Sequence, residues 1–92
     1  MNASLDRCKL TGAVLDRACL GAADLLHADL QGASLVDAQL TGATLQGTNL
    51  CGADLRAEWL ENADLDGARF DNHTRWPEGF DAGARGAIRA EA

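Results

Sequence analysis

Ala23-Asp24-Leu25-Leu26-His27-Ala28-Asp29-Leu30-Gln31-Gly32-Ala33-Ser34-Leu35 is the stretch that decides the fold. A leucine returns at every fifth position, and a small residue stands two places before each one. Read outward in both directions, the series runs Leu5, Leu10, Leu15, Leu20, Leu25, Leu30, Leu35, Leu40, Leu45, Leu50, Leu55, Leu60 and Leu65, and it closes at Phe70. The small residue is nearly always alanine, with Cys8, Thr48 and Glu58 at the equivalent sites.

A period of five fits neither regular element. On an α-helix, residues five apart are displaced by about 140°, so the leucines would spread around the whole circumference. On a flat strand they would alternate between the two faces. They converge only if the chain turns a corner once per repeat and aims each leucine at a common axis, which makes the chain a solenoid. The alanine then points inward beside the corner. The residue before each leucine and the two after it face water. Glycine is frequent at the last repeat position (Gly12, Gly32, Gly42, Gly47, Gly52, Gly67), where a tight turn favours unusual backbone angles.

Composition agrees with such a core. Among 92 residues, hydrophobic types make up 47% but aromatics only 4%, so leucine and alanine must fill the interior. The net charge of −6 argues against binding to nucleic acid or to an anionic membrane. That charge belongs to residues 1–72, with eleven acids and five bases, since residues 73–92 hold three of each. Neither a membrane-spanning run nor a leader pattern is present, and a cytoplasmic location is expected. The three cysteines lack disulfide or metal spacing. His27 and His73 stand apart from any nucleophile, and the glycines follow the turns rather than a phosphate-binding pattern. No catalytic residue, cofactor or metal is expected, and a filled lumen leaves no pocket for a small molecule.

Segments such as Ala23-Asp24-Leu25, Ala28-Asp29-Leu30, Ala53-Asp54-Leu55 and Ala63-Asp64-Leu65 resemble the A(D/N)Lxx signature of the pentapeptide repeat family. The resemblance implies an all-β fold, a right-handed quadrilateral parallel β-helix with four repeats per coil. Fourteen repeats over residues 1–72 then give about three and a half coils. Residues 73–92 break the period. Thr74-Arg75-Trp76-Pro77-Glu78-Gly79-Phe80-Asp81 resembles a tail found after the repeats in bacterial members. It is expected to cap the last coil through Trp76, Pro77 and Phe80, with 82–92 a short helix or frayed end. The first coil has no such device and is expected to be open.

Departures from the repeat mark the candidate sites. Glu58 falls on an inward site and would pair with a tail residue such as Arg75. Trp59 falls on an outward one. Four-sided registry stacks Cys19, Gln39 and Trp59 on one face, with Val14 and Val36 on its neighbour. The candidate interface is therefore Leu5, Leu10, Val14, Cys19, Val36 and Trp59. The expected function is a non-enzymatic scaffold or protein–protein interaction module, self-associating through the open first coil or holding another protein. The alternative is a DNA mimic acting on a DNA-binding protein such as DNA gyrase, which the resemblance brings in through acidic family members. Four of the acids, however, merely fill the family's own Asp/Asn position.

Overall fold

The computed structural model describes residues 7–57 and 60–90. Through the repeats the chain closes a coil every twenty residues. Lys9 bridges Asp29, Asp29 bridges Asn49, and Asn49 bridges Arg69, all in parallel. Val14–Ser34–Asp54, Cys19–Gln39 and Asp24–Thr44–Asp64 repeat the pattern on the other three sides. Four sides of five residues make a square coil, named below by the first leucine on each side: Leu10, Leu15, Leu20 and Leu25. The winding is right-handed, the sense in which parallel strands cross over.

Local chemistry explains the corners. The Ala13 N–H donates to the Leu10 carbonyl at 2.9 Å, and Ala18 to Leu15, Ala28 to Leu25 and Ala33 to Leu30 do likewise. Each such turn places its second inner residue at positive φ, as a type II turn requires. Gly12, Gly32, Gly42, Gly47, Gly52 and Gly67 occupy that place at φ 68–75°, but so do Arg7, Arg17, Ala22, His27 and Asp37 at φ 59–64°. The turn geometry is therefore imposed by the coil even where no glycine favours it.

Between the corners, each leucine points into the lumen. Leu25, Leu30, Leu35, Leu40, Leu45, Leu50, Leu55 and Leu60 are 0% exposed, and the alanines from Ala23 to Ala43 fill the space beside the turns. Leu20 is 8% exposed, while Leu10 and Leu15 are half-buried, so the core opens toward the first coil. Thr48 replaces an alanine without strain, because its hydroxyl donates to the Leu45 carbonyl at 2.9 Å.

Two departures reset the register. After Leu55 the chain takes a tighter path, the Ala57 N–H reaching the Leu55 carbonyl at 2.6 Å, and a 3-10 turn follows at Leu60–Asn62. Ala57 is buried, one residue before the inward site expected at position 58. Glu58 and Trp59 themselves, like Leu5, lie outside the described residues. The second departure is one extra residue after Phe70. Asp54 bridges Arg75, twenty-one residues on, and Thr74 is the buried residue at the corner. Its hydroxyl donates to the Leu50 carbonyl at 2.8 Å and accepts the Asp71 N–H at 3.0 Å. Arg75 therefore takes the bridge position opposite Asp54, and Trp76 follows it in the register of Leu55.

The tail continues the ladder instead of forming the expected helix or frayed end. A 3-10 turn at Gly83–Arg85 leads into β2 (Ile88–Arg89), which pairs in parallel with β1 (Arg69–Phe70). Ala82 and Ala87 are buried in it as the repeat alanines are. Trp76 meets Phe70 edge-on at 5.6 Å and stacks on Phe80 at 5.4 Å, while Pro77 accepts the Phe80 N–H at 3.0 Å. Arg89 lies over the Phe70 ring and Arg85 over Phe80. Aromatic and cation–π contacts thus replace leucine stacking at this end.

Candidate functional site

The residues from Arg7 to Leu26 form one coil, with the Arg7 N–H donating to the Leu26 carbonyl at 2.9 Å. In every inner coil a bridge residue directs both of its backbone groups at the preceding coil. Asp29 donates to Cys8 and accepts from Leu10, Ser34 donates to Ala13 and accepts from Leu15, and Gln39 donates to Ala18 and accepts from Leu20. By the same pattern, Lys9, Val14 and Cys19 aim theirs away from the coil that follows. Among the described residues, these N–H and C=O groups have no backbone partner. An edge of this kind is a template for pairing with another chain.

Of the candidate interface residues, Leu10, Val14 and Cys19 belong to this coil. Val14 is 75% exposed and Cys19 is exposed, while half-buried Leu10 lines the lumen behind them. Cys19 stacks on Gln39, as the registry requires. Val36 is half-buried at the corner after Leu35, and its N–H is held by the Asp16 carboxylate at 3.1 Å. It sits a coil away from the edge, so the apolar candidates do not form one continuous patch. Sequence reading missed Lys9 as an edge residue because a charged residue is ordinary at its repeat position.

The acids mostly serve the fold. The carboxylates of Asp24, Asp29 and Asp64 each accept the N–H two residues ahead, at 3.1 Å. Such local bonds favour turns. Asp54 is clasped by Arg56 through two contacts of 2.9 and 2.6 Å, and that pairing holds its carboxyl below the usual range.

A shallow surface groove of about 440 Å³ lies at the corner after Leu30, Leu50 and Phe70. Gln31, Cys51, Asp71, His73 and Arg89 line it. Burial, followed by the charge of Asp71, pushes the Cys51 thiol up, so it is protonated at neutral pH and a poor nucleophile. Burial also raises Asp71, but this is outweighed by hydrogen bonds from the His73 and Gly52 N–H groups, and its carboxyl titrates low. These contacts tie down the extra residue after Phe70. No cluster able to hold a metal ion occurs among the described residues, and none of their helices is long and apolar enough to cross a membrane.

A square parallel coil with leucine at the centre of each side and a small residue at each corner defines a repeat solenoid. The chain belongs to the pentapeptide repeat family, since residues 2–25 and 18–56 match the model described as pentapeptide repeats in eight copies. Two similar solved structures come from cyanobacteria. Rfr23, a pentapeptide repeat protein from Cyanothece 51142, is 37% identical over 82% of this chain, with a TM-score of 0.65. This chain spans 56% of that protein's length. The pentapeptide repeat protein alr5209 from Nostoc Pcc 7120 is 30% identical over 97% of this chain and 86% of its own, with a TM-score of 0.53. No curated protein matches the chain. Proteins of this family are in general structural or interaction modules and not enzymes.

Proposed function

We propose that this chain is a non-enzymatic scaffold that engages another polypeptide through the edge of its first coil. The observation behind this is the row of outward-directed backbone groups at Lys9, Val14 and Cys19, backed by half-buried Leu10 and Leu15. Strand addition to a sheet edge draws its affinity from main-chain hydrogen bonds and its specificity from the side chains alongside. Duplex mimicry has weaker support, because the regularly spaced aspartates are engaged in local turns or paired with arginine. A supercoiling assay in which the protein inhibits gyrase would favour it instead.

Val14→Pro tests the edge directly. Proline is tolerated on an edge strand whose N–H is unpaired, yet it removes the donor that an incoming strand needs. Its expected effect is loss of the protein's binding partner in a pull-down, at unchanged circular dichroism. Retention of the partner by Val14→Pro, together with its loss on Val36→Ser, would move the interface to a side face.

A further inference from the structure

We infer that the polypeptide received by this edge is an acidic one, an extended segment with aspartate or glutamate on both flanks of a short apolar stretch; the inference rests on the edge reading above. The charge of the chain is divided unevenly. Residues 1–22 hold the bases Arg7, Lys9 and Arg17 against two acids, whereas residues 23–92 hold five bases against twelve acids. A protein of net charge −6 therefore turns a net positive coil toward its edge.

The geometry sharpens this contrast. Asp16, the one acid between Arg7 and Ala22, sends its carboxylate to the following coil, where it accepts the Ser34 hydroxyl and the Val36 N–H. Arg7, Lys9 and Arg17 are exposed. Among the described residues, Lys9 and Arg17 have no ion-pair partner, while Arg56 is clasped by Asp54, and Arg85 and Arg89 lie over aromatic rings. Lys9 precedes Val14 along the edge, and Arg17 stands at the corner that follows it. The most exposed large apolar side chain of the coil, Val14 at 75%, therefore has a cation on either side.

Backbone and side chains together specify the segment. In the inner coils a bridge residue gives its N–H to one carbonyl of the coil before and accepts one N–H from it, as Ser34 does with Ala13 and Leu15. An incoming strand on the Val14 side satisfies the Val14 N–H and C=O in the same way. Its side chains alternate, so one set covers half-buried Leu15 and closes the lumen, and the other lies on the outer face with Val14. Strands pair about 4.8 Å apart, which puts carboxylates on either flank of the central residue within reach of the long Lys9 and Arg17 side chains. A lysine beside an open edge also guards against unspecific pairing. Carboxylates turn that guard into a contact, whereas a second copy packed edge to edge opposes cation to cation. A nucleic acid supplies anions but no main-chain strand for Val14.

Fluorescence anisotropy at low ionic strength, with the full chain and the dye-labelled peptide Glu-Glu-Val-Val-Val-Glu-Glu, tests this. The peptide is expected to bind about tenfold more tightly than its Lys-Lys-Val-Val-Val-Lys-Lys counterpart and to weaken as salt is added. Lys9→Glu and Arg17→Glu should each weaken it about threefold, and Val14→Pro should abolish it, with circular dichroism verifying that each variant is folded. Equal binding of the two peptides, or indifference to both charge reversals, overturns the acidic inference, while loss of binding in Val14→Pro would still uphold the edge reading. Glutamate-peptide binding that survives Val14→Pro overturns both. Absence of binding at millimolar protein, or an oligothymidine strand bound as tightly as the glutamate peptide, also overturns the inference. So does a concentration-dependent dimer in sedimentation velocity that Val14→Pro dissolves, since it gives the edge to a second copy.

Discussion

The glycine at position 47 offers a sharp test of the stacked corners. Gly32 and Gly47 hold nearly the same turn conformation, at φ +70° and +68°. An alanine side chain in that region costs about 1–2 kcal/mol, offset in part by a stiffer unfolded chain, and both terms are the same at the two sites. The surroundings differ. A methyl group at Gly32 meets nothing within 4 Å, whereas at Gly47 it would run into the His27 imidazole, with Cε1 at 2.6 Å. Gly32→Ala is therefore expected to cost about 1 kcal/mol, and Gly47→Ala about 1 kcal/mol more for displacing the ring. In a His27→Ala background the two costs should converge. Urea unfolding followed by circular dichroism, with the six proteins (each glycine variant and its parent, in both backgrounds) compared by midpoint at constant slope, reads this out. Equal costs at Gly32 and Gly47 in the wild-type background would show that the imidazole does not lie on the turn of the next coil, and would refute the stacking as described.

Other expectations follow from burial and charge. Leu40→Ala, at a fully enclosed site, should cost about 2–5 kcal/mol, and Leu10→Ala, half-buried in the first coil, clearly less; the same unfolding assay compares them. Thr74→Val should cost about 1–3 kcal/mol by leaving the Leu50 carbonyl and Asp71 N–H without their hydroxyl partner. Asp71 and Asp54 both titrate below the ordinary carboxylate range. Their contribution is thus complete above about pH 4 and is lost as pH falls through the lower folded-state values. Asp71→Asn should accordingly flatten the acid limb of a stability-against-pH curve. Exposed Cys19 should react with a thiol reagent at neutral pH well before Cys51, whose thiol is raised by burial.

Much of this fold is legible in the sequence because a period of five has so few physical solutions. Leu25 to Leu55 all land in the lumen at the positions that the spacing assigns. The turn chemistry was only half visible: Gly12 and Gly32 advertise positive φ, but Arg17, Ala22, His27 and Asp37 adopt it under the constraint of the neighbouring coils. Register changes were hidden for a related reason. Ala57 and Thr74 are small residues able to fill a corner, and nothing local distinguishes a corner reached one residue early or late. The tail's return to the ladder at Ile88–Arg89 had no five-residue signal, since Arg89 covers Phe70 where the repeat would place leucine. As for the site, Val14 and Cys19 stood out as apolar residues at polar positions. Lys9 did not, because an edge is a property of backbone groups and any side chain can sit beside it.

The most direct test of the central claim is amide hydrogen exchange of bridge residues in adjacent coils, measured by NMR in dilute protein. The account predicts fast exchange at Lys9, Val14 and Cys19, against slow exchange at Asp29, Ser34 and Gln39, whose N–H groups donate to the first coil. Equal protection of both sets in dilute protein would contradict an open first-coil edge.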